Sequence, residues 1–243
     1  MRYDPIENSL FKKNRNKFLS KMDSDSIAVF NSNDNYPVSA DTTLPFEQHR
    51  DLFYLTGINQ EKSVLVLTTI NSIINEFLFI TKANETMMHW EGEKLNHESA
   101  YEVSGIKNIF WLDSLDIKID ELMNLVTTVY INNNEHYRAN VETETREERF
   151  NKWIKNKYSG KYFKKSNPIL QRLRAVKEPV EIDLIKKACS ITEKGFRRVL
   201  KFVKPGVWEY EIEAEFSHEF ISNRSRKFAY SPIIASGNNS TVL

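Results

Sequence analysis

Two apolar runs, residues 63–70 and 73–80, are separated only by Asn71 and Ser72, and no other feature of this chain limits its fold as strongly. Short runs rich in Val, Ile, Thr and Phe, bounded by polar residues, read as strands. A two-residue polar link between such runs predicts a β-hairpin, although Asn-Ser is a weaker turn signal than Asn-Gly. Around this hairpin the sequence alternates. Residues 7–22 carry an amphipathic helical pattern, 26–30 a short strand, and 53–57 a strand-like run closed by Gly57. Residues 108–112 and 127–131 read as strands. Residues 113–125 read as a helix with Asp113 as N-cap, and 142–158 as a charged helix ended by Gly160. Hairpins interleaved with strand–helix units predict an α/β domain with a mixed sheet.

The texture changes after about Gln171. Pro179 suits a first helical turn. Ile182, Ile185, Cys189, Thr192, Phe196, Val199, Leu200 and Val203 then share one helical stripe, which Pro205-Gly206 closes. Residues 209–222 predict a second helix with Ile212, Phe216 and Phe220 on one face, and 231–235 predict a strand. The sequence then stops on Val242-Leu243 just after a Gly-Asn turn, which reads as an interruption, since natural domains usually end in a polar tail or a docked helix.

Charge and composition narrow the function classes. With 34 basic and 33 acidic residues, the net charge of +1 creates no field favouring nucleic acid or a membrane surface. The single cysteine, Cys189, excludes an intramolecular disulfide framework and a cysteine zinc cluster, and its place on the helical stripe predicts a packed, inert thiol. The N-terminus is polar, without the apolar stretch of a signal peptide, and no run approaches the length of a membrane span. A cytoplasmic location is the expectation.

Five landmarks in order carry a family resemblance. They are Phe46-Glu47-Gln48-His49-Arg50-Asp51-Leu52-Phe53-Tyr54-Leu55-Thr56-Gly57, His89-Trp90-Glu91-Gly92, the stretch from Leu173 to Ile182 containing Glu178-Pro179, Lys204-Pro205-Gly206-Val207-Trp208-Glu209, and Tyr230-Ser231-Pro232-Ile233-Ile234-Ala235-Ser236-Gly237-Asn238. Together they resemble the aminopeptidase P, prolidase and creatinase family. The resemblance implies a creatinase-type N-terminal domain over residues 1–172. Residues 173–243 would be the truncated start of an α+β pita-bread metallopeptidase domain. It implies an Xaa-Pro aminopeptidase that releases the N-terminal residue from proline-containing peptides with proline second. Two divalent metal ions, manganese by the resemblance, would be held by two Asp, one His and two Glu. Those ligands belong downstream of residue 243, so no catalytic residue and no metal ligand is expected in this chain, and the chain alone is expected to be inactive. A prolidase or creatinase relative shares the same landmarks, and a non-catalytic pita-bread module that binds proteins keeps the fold without the ligands.

Four residues are singled out by that resemblance. Tyr230, Ala235 and Asn238 are similar in position to residues that line the substrate pocket, although sheet packing is the plainer reading of Tyr230. Trp90, in a polar loop, is similar to a residue at a subunit or access surface of family homo-oligomers formed through the N-terminal domain. Its alternative is filling a gap in its own domain. Other clusters point to no chemistry. His49, His89, His97, His136 and His218 show no metal-ligand spacing. The basic run Lys161, Lys164, Lys165, Arg172, Arg174 and Lys177 reads as a solvated linker rather than a nucleic-acid contact.

Overall fold

The computed structural model describes residues 4–133, 135–136, 138 and 142–241, in two compact units: residues 6–176, and residues 4–5 with 177–241. The first unit runs α1 (Asn8–Leu19), β1 (Ser26–Asn31), β2 (Pro37–Ser39), β3 (Thr42–Thr43), α2 (Arg50–Thr56), β4 (Val64–Ile70), β5 (Ile73–Ile80), α3 (Glu85–Glu91) and α4 (His97–Ser104). It continues with β6 (Asn108–Trp111), α5 (Leu115–Met123), β7 (Thr128–Ile131), α6 (Arg146–Lys157), β8 (Tyr162–Lys165) and α7 (Asn167–Ala175). Its main sheet has the order β6-β5-β4-β1-β7-β8. Among the described strands of that sheet β4 alone runs against the others.

The hairpin that dominates the sequence forms with Ile70 opposite Ile73. Asn71 and Ser72 both take left-handed backbone angles (φ 49° and 64°). Two positive φ values are what a two-residue turn needs to match strand twist. The Asp25 carboxylate accepts the Asn71 N–H at 2.9 Å, so a tertiary contact supports a turn that Asn-Ser specifies weakly.

Alternation along each strand divides the core into two faces. Ala28, Phe30, Leu65, Leu67, Leu78 and Ile80 pack beneath α1, α2, α4 and α7. Ile27, Val29, Val64, Val66, Phe77 and Phe79 pack against α5 and α6. Each fully buried side chain of this size contributes about 1.5–3 kcal/mol. Arg15 is fully buried among them. Its guanidinium donates to Leu55 O (2.8 Å) and Ser104 O (3.0 Å), and its Nε lies 2.9 Å from Glu76 Oε1. It thereby satisfies the last carbonyls of α2 and α4, helices that both end at a left-handed glycine, Gly57 and Gly105.

Several expectations are corrected. Residues 53–57 are not a strand but the end of α2 and its cap Gly57; a short apolar run cannot separate the two by periodicity. Asp113 lies in a 3-10 turn (Leu112–Ser114), and α5 starts after it. The charged helix is shorter than 142–158: α6 starts at Arg146, where Thr145 and Glu148 form a capping box, and ends with Tyr158 as C-cap rather than at Gly160. Residues 162–165, part of the expected linker, form the edge strand β8. Trp90 sits on the short helix α3 rather than in a loop.

The second unit is built on α8 (Pro179–Phe202) and α9 (Glu209–Ser222), with a 3-10 turn at Gly237–Thr241. A Cβ on Gly195 would fall 2.7 Å from Phe216 Cδ1, so this glycine lets the two helices approach. The Phe196 and Phe216 rings meet edge to face at 5.0 Å, and Arg198 pairs with Glu215. Residues 231–235 form no strand, because the described residues of this unit contain no sheet to pair with. Cys189 is exposed rather than packed, although Phe196, on the same stripe of α8, meets Phe216 of α9.

Candidate functional site

The three candidate pocket residues lie on one irregular segment that follows α9. The Ser225 N–H closes the helix on Phe220 O (2.9 Å). Three residues later the Phe228 ring packs on Phe220 (4.9 Å between centroids) and Phe216 (6.3 Å). The chain then passes through Tyr230 and Ala235 to Ser236, whose N–H (2.9 Å) and hydroxyl (3.3 Å) both donate to Glu209 Oε1 at the start of α9. Gly237, at φ 56°, opens the 3-10 turn that carries Asn238. Tyr230 is 77% exposed, and Ala235 and Asn238 are also exposed, so none of the three serves as sheet packing in this unit. Trp90 belongs to the other unit. It is 79% exposed on α3, with the His89 ring edge to face against it (5.2 Å), so it does not fill a gap in its own core.

The chemistry available at these positions is recognition rather than bond breaking. Tyr230 offers an aromatic face and a hydroxyl, and Asn238 an amide. The described residues bring together no group of three or more His, Cys, Asp or Glu able to hold a metal ion. The His97 ring lies tilted against Trp111 (4.3 Å between centroids), and His49 accepts the Asp51 N–H as the N-cap of α2. The described residues therefore supply no ligand set for a dinuclear metal centre.

A second polar centre, which sequence reasoning did not find, lies at the carboxyl ends of the parallel strands β1, β7 and β8. Open α/β sheets commonly bind ligands at that edge. Here side chains fill it. Asp51 accepts from Arg174 (2.6 Å) and Asn132 (3.0 Å). Ser166 donates to Asn132 Oδ1 (3.0 Å), and Asn151 donates to Asn132 O (2.6 Å). The buried Glu147 carboxyl receives the Asn31 N–H (3.2 Å) and Nδ2 (3.3 Å). Burial pushes Glu147 up to about 8, against the lowering effect of the Asn31 bonds and Arg146. Burial also holds His49 below the usual imidazole range, opposed by the Asp51 carboxylate. The available sequence signal was slight: Asp51 and Glu147 are acids in the first turn of a helix, a common surface position.

Four of the six residues of the basic run are tied to acids or a carbonyl. Lys164 pairs with Asp23 (2.5 Å), Lys165 with Glu135 (2.8 Å) and Arg174 with Asp51, while Lys161 donates to Val126 O (2.8 Å). No described helix is long and apolar enough to cross a membrane.

Comparison with known proteins places both units. Residues 11–130 match the family described as Aminopeptidase P, N-terminal domain, and residues 183–243 match Metallopeptidase family M24. The Xaa-Pro aminopeptidase of Escherichia coli (strain K12) is 26% identical over 240 residues, covering 98% of this chain and 54% of that protein. A Bacillus anthracis structure assigned to aminopeptidase P superposes with a TM-score of 0.92 at 29% identity, over 98% of this chain and 57% of that one. Aminopeptidase P from E. coli in its low-pH form gives 0.83 at 26% identity, over 99% and 55%. The chain thus spans about half the length of the relatives it matches.

Proposed function

We propose that this chain, whose residues 11–130 match the aminopeptidase P N-terminal domain and whose residues 183–243 match metallopeptidase family M24, is the N-terminal half of an Xaa-Pro aminopeptidase. The observation that carries this reading is the order of the two matched domains along one chain, with relatives named Xaa-Pro aminopeptidase aligned across both. Residues 1–172 form the N-terminal domain, and 173–243 begin the pita-bread domain. The substrates are peptides with proline second, whose tertiary amide lacks an N–H and has a fixed φ, so recognition needs a shaped pocket.

In the whole protein, two divalent ions, manganese in this proposal, would supply Lewis-acid chemistry and an activated water at the scissile carbonyl. This chain contributes binding surface. Tyr230, Ala235 and Asn238 line one wall of the pocket. Trp90, exposed on its short helix, faces an access route or a neighbouring subunit of a homo-oligomer assembled through the N-terminal domain, in the cytoplasm. The test is hydrolysis of a tripeptide with proline second. The full-length protein with Mn²⁺ releases the first amino acid, and the 243-residue chain releases none. Absence of hydrolysis by the metal-loaded full-length protein would sink the reading in favour of a non-catalytic, protein-binding relative.

A further inference from the structure

We propose, resting on the reading above, that Glu209 is a positioning residue that sets the pocket segment carrying Tyr230, Ala235 and Asn238. Within this unit the backbone from residue 229 to residue 236 has no regular secondary structure, so no ladder or helical hydrogen bond of the unit holds its course. Its position depends on what ties its two ends. The near end is apolar: Phe228 inserts its ring against Phe216 and Phe220 of α9. The far end is polar: one carboxylate oxygen of Glu209 accepts both the backbone N–H and the hydroxyl of Ser236.

Two donors from one residue meeting a single charged acceptor fix the orientation of that residue as well as its place. Ser236 directly follows Ala235, and through the left-handed Gly237 it leads to Asn238, so the direction in which both candidates project is set at this contact. Glu209 is free for this task because Glu211 caps the helix: the Trp208 N–H donates to Glu211 Oε2 at 2.8 Å. Both anchors belong to α9, which makes one rigid helix the template for the whole segment. Glu209 touches no reacting atom in this scheme. The plainer alternative is a first-turn acid that stabilises α9 through the helix dipole and nothing more.

The two roles separate by substitution and by readout. In the full-length, Mn²⁺-loaded protein, Glu209→Ala raises KM for a proline-second tripeptide about tenfold, as expected for loss of a charge-assisted hydrogen bond, with kcat within about twofold. Glu209→Gln keeps an acceptor oxygen and stays within about threefold of the parent. An Ala variant with the parent KM overturns the proposal, and so does a Gln variant as impaired as Ala. If the parent protein hydrolyses nothing, the functional reading fails, and amide exchange in the 243-residue chain still decides the anchor. The Ser236 amide then exchanges roughly tenfold faster in Glu209→Ala and near the parent rate in Glu209→Gln. Unchanged exchange in Glu209→Ala overturns the anchor whatever the activity.

Discussion

The two units bury their apolar residues to very different extents. In the first unit a mixed sheet is covered on both faces, and strands β1 and β4 are almost wholly enclosed. In the second unit α8 and α9 touch through Gly195, Phe196, Phe216 and Phe220, while Ile185, Leu200 and Val203 remain exposed. The difference follows from geometry. A sheet flanked by helices closes a core from local pieces, whereas a helical pair has one contact stripe and leaves any second apolar stripe bare.

The sharpest way to break that comparison is a pair of truncations. Phe30→Ala, at a fully buried position packed edge to face on Phe18 (5.3 Å), is expected to cost about 3–5 kcal/mol. Leu200→Ala, at a residue 73% exposed on α8, is expected to change stability by less than about 0.5 kcal/mol. Urea unfolding of the two variants checks this, and similar losses would mean that α8 is packed in solution.

A pH-dependent effect of similar size sharpens the picture of the first unit. Glu147 is held at about 8, above the ordinary carboxyl value near 4.5. Below 4.5 both folded and unfolded chains carry the proton, and the group costs nothing. Between that value and 8 the unfolded chain ionises while the folded one stays protonated, so stability falls as pH rises and levels off above 8. The fall amounts to roughly 3–5 kcal/mol. Glu147→Gln removes it, so the variant should gain on the parent steadily from pH 5 to pH 8 in urea midpoints. Parallel pH profiles would show that Glu147 ionises freely.

The smallest expected effect has the opposite sign. His49 must be neutral to accept the Asp51 N–H, and burial depresses its pKa. Its contribution is complete above about pH 6.5, the ordinary imidazole value, and is lost as pH falls below it toward the depressed folded value. His49→Asn keeps a cap without a titrating group. It should flatten this acid-side loss, measured by thermal melts at pH 7.5 and pH 5. An unchanged acid slope in His49→Asn would assign the loss to other groups.

Much of this architecture was legible in the residues because it rests on period and punctuation. The hairpin, β1, β6, β7, α1 and α9 follow from apolar alternation or a 3.6-residue repeat bounded by turn residues. Residues 53–57 were misread because a run that short satisfies both periods, and β8 was missed because its lysines and exposed Tyr162 suit an edge strand as well as a linker. The pocket segment was legible as a motif, but not its attachment: nothing in the spacing of Glu209 and Ser236 announces that they meet.

The sequence by itself determined an α/β N-terminal unit with a mixed sheet, followed by two amphipathic helices, because local periodicity is a property of neighbouring residues. Only the tertiary structure decided that Arg15 would close two helices, that Asp51 and Glu147 would be buried at one sheet edge, and that Glu209 would hold Ser236. Those contacts join residues distant in sequence. Their energies depend on burial and on the partner across the gap, and neither is encoded in the spacing of the residues themselves.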